Sequence, residues 1–445
     1  MRKLQIVLLV SLLVGLLGIV GTVAPQEEIV LDFWNWWGVQ REPLMQEIIG
    51  PFQEEHPGVT INNVVQGWDR RAEVVLTAMA GGEPPEIMMA TRAEIVRFAA
   101  EGLIVPITKY VEEDGLDLSA FYPSEIETMW WNGELYSMPM PTAGGETSFY
   151  VYNKTLFAEH GLDPENPPAT WQELWAASEV LNQRSGNVID LMAADIGVSG
   201  NAFLSWLYTN NGALYSEDLR SVTFNSPEGV ETLQWMYDYV QTFYGGVENH
   251  IDFMAQTTGE SAENPLFQGR QAIQFPNVSI FGHLATFAPD LDYGVALRPY
   301  NADNPDARSQ GIAPLGFGWG YVIPAGLSPE AERAAYDFVR RITYDMGEDV
   351  KGGCWFMQEQ ARPSPLIACN EDPVFYELNP NWDNVKAALE ADIALPIVPP
   401  QSQIQSFITE YVDLAMFGEL SPQEALDLAA EESQAVLDAY WSSIE

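Results

Sequence analysis

From residue 29 onward, apolar positions recur with two periods that take turns along the chain. Ile29 to Trp34 (IVLDFW) is a short, mostly apolar run that predicts a strand. Pro43 to Glu55 follows with apolar residues at Leu44, Ile48, Ile49 and Phe52, the three-and-four spacing of an amphipathic helix. Val59 to Val65 predicts a second strand. Arg71 to Ala80 predicts a helix that stops at the pair Gly81-Gly82, since glycine accepts the left-handed backbone that ends helices. Glu86 to Ala90 (EIMMA) predicts a third strand, and Ala93 to Ala100 a helix ending at Gly102. Strand–helix repeats of this length predict parallel strands with crossover helices, an α/β architecture. Ligands of such sheets sit beyond the carboxyl ends of the strands, which marks residues 35–40, 66–70 and 90–94 as one rim of a site.

A second unit is predicted from about residue 148. Thr170 caps a helix that begins at Trp171 and carries Glu173, and Ser226-Pro227-Glu228 opens another. A strand at Gly320 to Ile323, a helix from Pro329 to Ile342, a Pro-rich stretch at 396–401 and a helix from Ser421 to Trp441 complete the pattern. There is no internal repeat.

The first residues change the compartment. Arg2 and Lys3 precede an apolar run from Ile6 to Val20, then Thr22-Val23-Ala24 offers small residues for cleavage before Pro25. About fifteen apolar residues fall short of a ~30 Å hydrocarbon core, so residues 1–24 predict a signal peptide, with an uncleaved anchor as the alternative. No cysteine lies there to carry a lipid. The two cysteines, Cys354 and Cys369, predict a disulfide in an exported chain, with two buried thiols the other reading.

Charge narrows the partners. Twenty basic residues against 63 acidic ones give a net charge of −43. Nucleic acid and anionic membrane surfaces are excluded by that repulsion. With 47% apolar and 12% aromatic residues the chain is nonetheless globular. The four histidines lie far apart, no P-loop or dinucleotide glycine pattern occurs, and no Gly-x-Ser-x-Gly elbow is present. No cofactor, metal or catalytic residue is expected.

Several segments, in order, resemble one family. FQEEHPGVTIN (Phe52 to Asn62), AGGEPPEIM (Ala80 to Met88), GLIVPITKYV (Gly102 to Val111) and GELYSMPMP (Gly133 to Pro141) are followed by YVYNKTLFAEHGLD (Tyr150 to Asp163) and PPATWQEL (Pro167 to Leu174). LFQGRQAIQ (Leu266 to Gln274), SPEAERAAYDFVRRI (Ser328 to Ile342) and SPQEALDLA (Ser421 to Ala429) complete the series. Glu86 stands where the family usually has Asp. The chain resembles the extracellular carbohydrate-binding proteins of ABC importers, relatives of maltose-binding protein. That resemblance implies a two-lobed, periplasmic-binding-protein-like α/β fold of type II, with the ligand cleft between lobes joined by crossover hinges. The crossovers would fall near 140–150, 313–320 and 345–353. The lobes would be 27–145 plus 318–347 and 148–313 plus 350–445. It also implies a carbohydrate ligand, the membrane permease of an ABC transporter as partner, and a monomer.

A sugar presents a C–H face that packs on aromatic rings and a hydroxyl rim that takes hydrogen bonds. Trp36 and Trp37 follow the first predicted strand, Trp68 and Asp69 the second, and Thr91 and Arg92 end the third. Thr142 lies just after MPMP, and Trp319 stands between glycines in GFGWG, where backbone can approach a ligand closely. The resemblance adds Asn201, Asn277, Trp355 and Gln405 from the second lobe. An anionic sugar would require the cleft to concentrate arginines such as Arg70, Arg71 and Arg92. The rival reading is a secreted glycosidase, which needs only two of the 63 acids; a third keeps the binding fold with a cationic or other non-sugar ligand.

Overall fold

The computed structural model describes residues 28–38, 41–67, 70–144, 149–256, 261–312, 318–347 and 349–444. The predicted signal segment and the pair Trp68 and Asp69 lie outside them.

The first half-dozen elements follow the pattern of the sequence. Strand β1 (Ile29–Asn35) alternates buried Leu31 and Phe33 with exposed Val30, as a period of two requires. Helix α1 (Glu42–Glu55) buries Met45, Ile48, Ile49 and Phe52 along one stripe. β2 (Val59–Val65), α2 (Arg71–Gly81), β3 (Ile87–Thr91) and α3 (Arg92–Ala100) continue the alternation. Gly82, with φ +71°, ends α2 where the glycine pair predicts. Thr91 and Glu94 form a reciprocal capping box that starts α3.

Later segments add β4 (Met138–Pro139), β5 (Phe149–Asn153), α4 (Trp171–Leu181), β6 (Gln183–Ser185), β7 (Val188–Asp195), α5 (Gly200–Tyr208) and α6 (Pro227–Tyr239). Then come β8 (Gln271–Gln274), β9 (Tyr293–Leu297), β10 (Trp319–Val322), α7 (Pro329–Thr343), α8 (Gly353–Gln358), α9 (Trp382–Ala391), α10 (Gln401–Met416) and α11 (Pro422–Ile444).

Two five-stranded sheets result, in the orders β2-β1-β3-β10-β4 and β9-β5-β8-β7-β6. Neither is purely parallel. In the first, β1 runs parallel to β2 and β3, but β10 is antiparallel to both β3 and β4. In the second, β7 and β8 are parallel, and β5, β6 and β9 pair antiparallel. The antiparallel members arrive from distant parts of the chain, so the local strand–helix rhythm does not set their direction. The chain passes from the first sheet to the second between β4 and β5, and returns between β9 and β10. It leaves again after α7, whose Phe338 packs edge-on against Phe33 of β1 and Phe52 of α1.

Strand β5 shows how the cores divide. Phe149 and Val151 join the large core shared with the first sheet, while Tyr150 and Tyr152 join the core of the second. Helices α10 and α11 pack on each other and on that second core, through Ile404, Ile408, Val412, Leu426 and Leu437. Cys354 of α8 is disulfide-bonded to Cys369, with Cα atoms 5.6 Å apart.

Candidate ligand-binding cleft

The parallel strands of the first sheet deliver three chain ends to one rim: Asn35 from β1, Val65 from β2 and Thr91 from β3. Antiparallel β10 begins at that same rim, where Trp319 is paired with Thr91. Trp36 and Trp319 therefore meet although they come from opposite ends of the lobe's sequence, with ring centroids 6.2 Å apart. Arg71, the first residue of α2, lays its guanidinium 4.5 Å from the Trp319 ring centre and 5.1 Å from that of Trp36. Its Nη2 is ion-paired with Glu94, whose second task is to receive the Thr91 N–H at 2.9 Å in the capping box. All five residues are less than a tenth exposed. The Nε1 of Trp36 and the Nε of Arg71 are nevertheless buried without a hydrogen-bond partner. Native proteins rarely leave such donors unsatisfied, so each calls for a partner such as a water, an ion or a ligand.

The other candidates of this lobe divide. Trp37 has its indole N–H on the Tyr321 hydroxyl at 2.8 Å and its edge against Phe356, so it anchors the floor rather than offering a plate. Arg92 is 1% exposed and turned inward; it donates to the Ser124 carbonyl at 2.8 Å and is ion-paired with Glu125. Glu125 in turn receives the Gly144 N–H at 2.9 Å, which ties the pair to the first crossover. The glycine before Trp319 serves Arg92: a Cβ at Gly318 would lie 2.0 Å from its Nε. The close approach predicted for the GFGWG segment is thus made there to a side chain of the protein. Thr142 sits beside the same crossover, its Oγ1 buried and without a partner.

On the second lobe the parallel strands end at Asp195 and Gln274. Asn201, one residue into α5, receives the Gln405 side-chain N–H of α10 at 3.0 Å. These residues, distant in sequence, meet because Gly200 lets α5 press on α10; a Cβ there would come within 2.8 Å of Thr409. Gln405 Oε1 and Gln274 Oε1 are buried acceptors with no partner. Asn277 is exposed, with Oδ1 held by the Ser279 N–H at 2.8 Å. Trp355 is half-buried and lines a separate recess of about 530 Å³ with Met346, Val350, Cys354 and Asp372, under the Lys351 ammonium.

Two contacts set the rims face to face. Ile397, just before α10, packs on Ala93 and Val96 of α3. Trp131 of the first lobe meets Tyr440 of α11, with centroids 6.5 Å apart. The helix that carries Glu94 thus faces the segment that leads to Gln405. Arg362 adds a link along the floor, donating to Ser279 Oγ at 2.7 Å with its guanidinium 5.9 Å from Trp37. Behind the second rim, Asp195 Oδ1 lies 2.9 Å from His250 Nε2 and receives the Gly197 N–H at 3.0 Å. Burial alone would lower the His250 pKa, but the Asp195 charge and hydrogen bond outweigh it and raise it. For Asp195 burial acts upward, and the His250 charge with these hydrogen bonds brings the carboxyl below its ordinary value.

Arg71, Glu94 and Arg362 are the parts that the sequence does not single out as a cluster. Thr91-Arg92-Ala93-Glu94 does carry the capping-box signature, so the position of Glu94 at a helix start is legible; its arginine partner, at the start of the preceding helix, is not. Among the described residues no group of His, Cys, Asp and Glu is arranged to hold a metal, and no helix is long and apolar enough to cross a membrane.

The sequence model of bacterial extracellular solute-binding proteins matches residues 37–340. Among similar curated proteins is the sn-glycerol-3-phosphate-binding periplasmic protein UgpB of Pectobacterium atrosepticum, 24% identical over 433 residues, covering 93% of this chain and 92% of the relative. UgpB of Escherichia coli K12 is 22% identical over 435 residues, covering 93% of both chains. Similar solved structures include an ABC transporter solute-binding protein from Thermotoga lettingae bound with alpha-D-tagatose. It has a TM-score of 0.72 and 24% identity, over 92% of this chain and 99% of that one. The substrate-binding protein Lmo0181 of Listeria monocytogenes in complex with cycloalternan has a TM-score of 0.73 and 18% identity, over 93% and 99%.

Proposed function

This chain belongs to the family of bacterial extracellular solute-binding proteins, and on that premise we propose that it captures a neutral carbohydrate between its lobes and delivers it to the permease of an ABC transporter. The observation that carries the reading is the Trp36–Arg71–Trp319 cluster, in which Trp36 Nε1 and Arg71 Nε are buried without a partner; the amide groups of Asn201 and Gln405 would face it from the second lobe. Indole faces suit the C–H face of a pyranose; lone donors and acceptors on both rims suit its hydroxyls. The sugar named with the Thermotoga protein and the cyclic glycan named with the Listeria protein support this class.

The curated relatives are named for a phosphorylated polyol, and arginines do gather here. The two at the first rim are each matched by a carboxylate of the chain itself, Arg71 by Glu94 and Arg92 by Glu125. A phosphate would have to displace or neighbour those acids, which favours a neutral ligand. Lobes at 27–145 plus 318–347 and 148–313 plus 350–445, a cleaved signal at 1–24 and a monomeric state belong to the same proposal.

Thermal shift and calorimetry on the mature chain test it, with a panel of neutral mono- and oligosaccharides beside sn-glycerol 3-phosphate. Neutral sugars should bind at micromolar concentration. Binding of the phosphate alone would refute the neutral assignment. A chromogenic glycoside should stay intact; product that vanishes on mutation of a cleft carboxylate would make the protein an enzyme instead.

A further inference from the structure

A further recess lies on the second lobe, between α4, α6 and the turn after β9, and shares no lining residue with the cleft. It has a volume of about 350 Å³ and is walled by Trp171, Trp175 and Trp235, with Gln172, Glu231 and Asp303 among its polar groups. Trp171 and Trp235 are stacked, with centroids 4.3 Å apart and planes 17° from parallel. Trp175 and Trp235 are both half-buried, so part of each ring is open to the recess.

The polar groups are unevenly committed. Gln172 spends its Nε2 on Asn301 at 3.0 Å and Asp303 at 2.9 Å, and its Oε1 receives the Ala302 N–H at 3.2 Å. Asn301 spends its Nδ2 on Asn210 at 2.9 Å. The amide donors are therefore occupied within the protein. Glu231 receives one hydrogen bond, from Asn210 at 3.0 Å, and Asp303 receives the one from Gln172. Neither carboxylate has an ion-pair partner among the described residues, and no Lys or Arg lines the recess. The adjoining hollow, about 430 Å³, shares Glu231 and Asp303 and adds Glu228. What remains available is indole surface and carboxylate lone pairs.

We propose that this recess binds a small organic cation, of the alkylammonium or guanidinium class, at a site independent of the sugar cleft. An indole face attracts a cation through its quadrupole, and does so more strongly where water is partly excluded. Two unpaired carboxylates at the rim add a charge that a neutral sugar does not use. The chemistry is that of an aromatic cage closed by acids.

The test uses the mature full chain, titrated with tetramethylammonium and with choline while tryptophan emission and heat are followed. Choline's neutral isostere, 3,3-dimethylbutan-1-ol, is the control. The cations should bind saturably and the isostere at least about tenfold more weakly. Glu231→Gln with Asp303→Asn, both exposed positions, should weaken the cations by about tenfold or more and leave sugar binding unchanged. Trp319→Ala, in the cleft, should leave the cation affinity unchanged. Equal binding of the isostere, an unchanged affinity in the double variant, absence of saturable cation binding, or displacement of the cation by the cleft sugar would each overturn the proposal.

Discussion

Replacing Glu94 by glutamine separates the charge of the cleft from its shape. The new amide can still accept the Thr91 N–H, because a glutamine serves the third helical position of a capping box as a glutamate does. Helix α3 therefore keeps its cap, and only the ion pair to Arg71 loses its negative member. The guanidinium stays between Trp36 and Trp319, and those contacts are common to both forms, so they cancel in the difference. Breaking a buried ion pair from one side costs about 3–5 kcal/mol, because the remaining charge is left without compensation. Arg71 and Glu94 each retain 10% of their side-chain exposure, which favours the lower end, about 3 kcal/mol. Denaturant unfolding followed by tryptophan emission measures that loss. The functional consequence has the opposite sign for charged ligands: an unmatched Arg71 should bring in sn-glycerol 3-phosphate, or raise its affinity, while neutral sugars weaken. Calorimetry with the two ligand classes reads both changes. A variant as stable as the parent and still indifferent to the phosphate would show that Glu94 does not set the charge preference, and the argument for a neutral ligand would fail with it.

Trp319→Ala removes one plate of the cleft and one face of the Arg71 site. It should weaken sugar binding by about 2 kcal/mol, roughly thirtyfold, as central aromatic anchors do, and unchanged affinity in calorimetry would place the sugar elsewhere. Cys354→Ser with Cys369→Ser opens a loop closed across 15 residues; the chain-entropy relation predicts a loss of about 3 kcal/mol, and denaturation curves superimposing on the parent would contradict it. The His250–Asp195 pair has a pH window with two edges. His250 has a raised pKa in the folded chain, so its stabilisation is full below its ordinary 6.5 and is lost as pH rises through the raised value. Asp195 has a lowered pKa, so its part is full above its ordinary 3.8 and is lost as pH falls through the lowered value. The stability difference between the parent and His250→Gln should therefore be largest between those two ordinary values and shrink toward alkaline pH; a difference flat from pH 5 to pH 9, in melts at matched ionic strength, would refute the coupling.

The stretch from β1 to α3 is legible almost position by position, because burial there is periodic. Leu31 and Phe33 alternate on a strand; Ile48, Ile49 and Phe52 fall on a helix stripe; Gly82 ends α2 with the backbone only glycine adopts cheaply. The antiparallel strands are less so. β4, Met138–Pro139, is too short to carry a period, and β10 takes its direction from β3, which lies far upstream in the chain. Helix α10 has Ile404, Ile408 and Val412 on one stripe, a helical period that begins directly after the Pro-rich stretch at 396–401. In the site, the aromatic candidates of the strand ends are visible because tryptophans at loop positions stand out. Their partners are not: Arg71 with Glu94 and Asn201 with Gln405 are made by packing, through Gly200 against Thr409 in the second case. Arg92 illustrates the converse. At a strand end it reads as a ligand contact, yet a neighbouring buried acid turns it inward.

The net charge of −43 describes the outside of this molecule more than its cleft. Among the described residues five arginines are buried: Arg71, Arg92, Arg298, Arg341 and Arg362. Arg71, Arg92 and Arg362 lie along the cleft rim and floor, each against an indole or a carboxylate. A lysine could not replace Arg71, since its guanidinium sits over Trp319 while Nη2 meets Glu94, and an ammonium offers one compact charge for both. Withdrawing these cations from the surface makes the exterior still more acidic, which keeps such a chain soluble but also repels anions at long range. A neutral sugar is indifferent to that field, a phosphorylated one must climb it, and a cation is drawn by it toward the Glu231 and Asp303 rim. The same distribution of charge thus favours two different ligands at two different places, and it does so through the arginines the surface lacks as much as through the acids it displays.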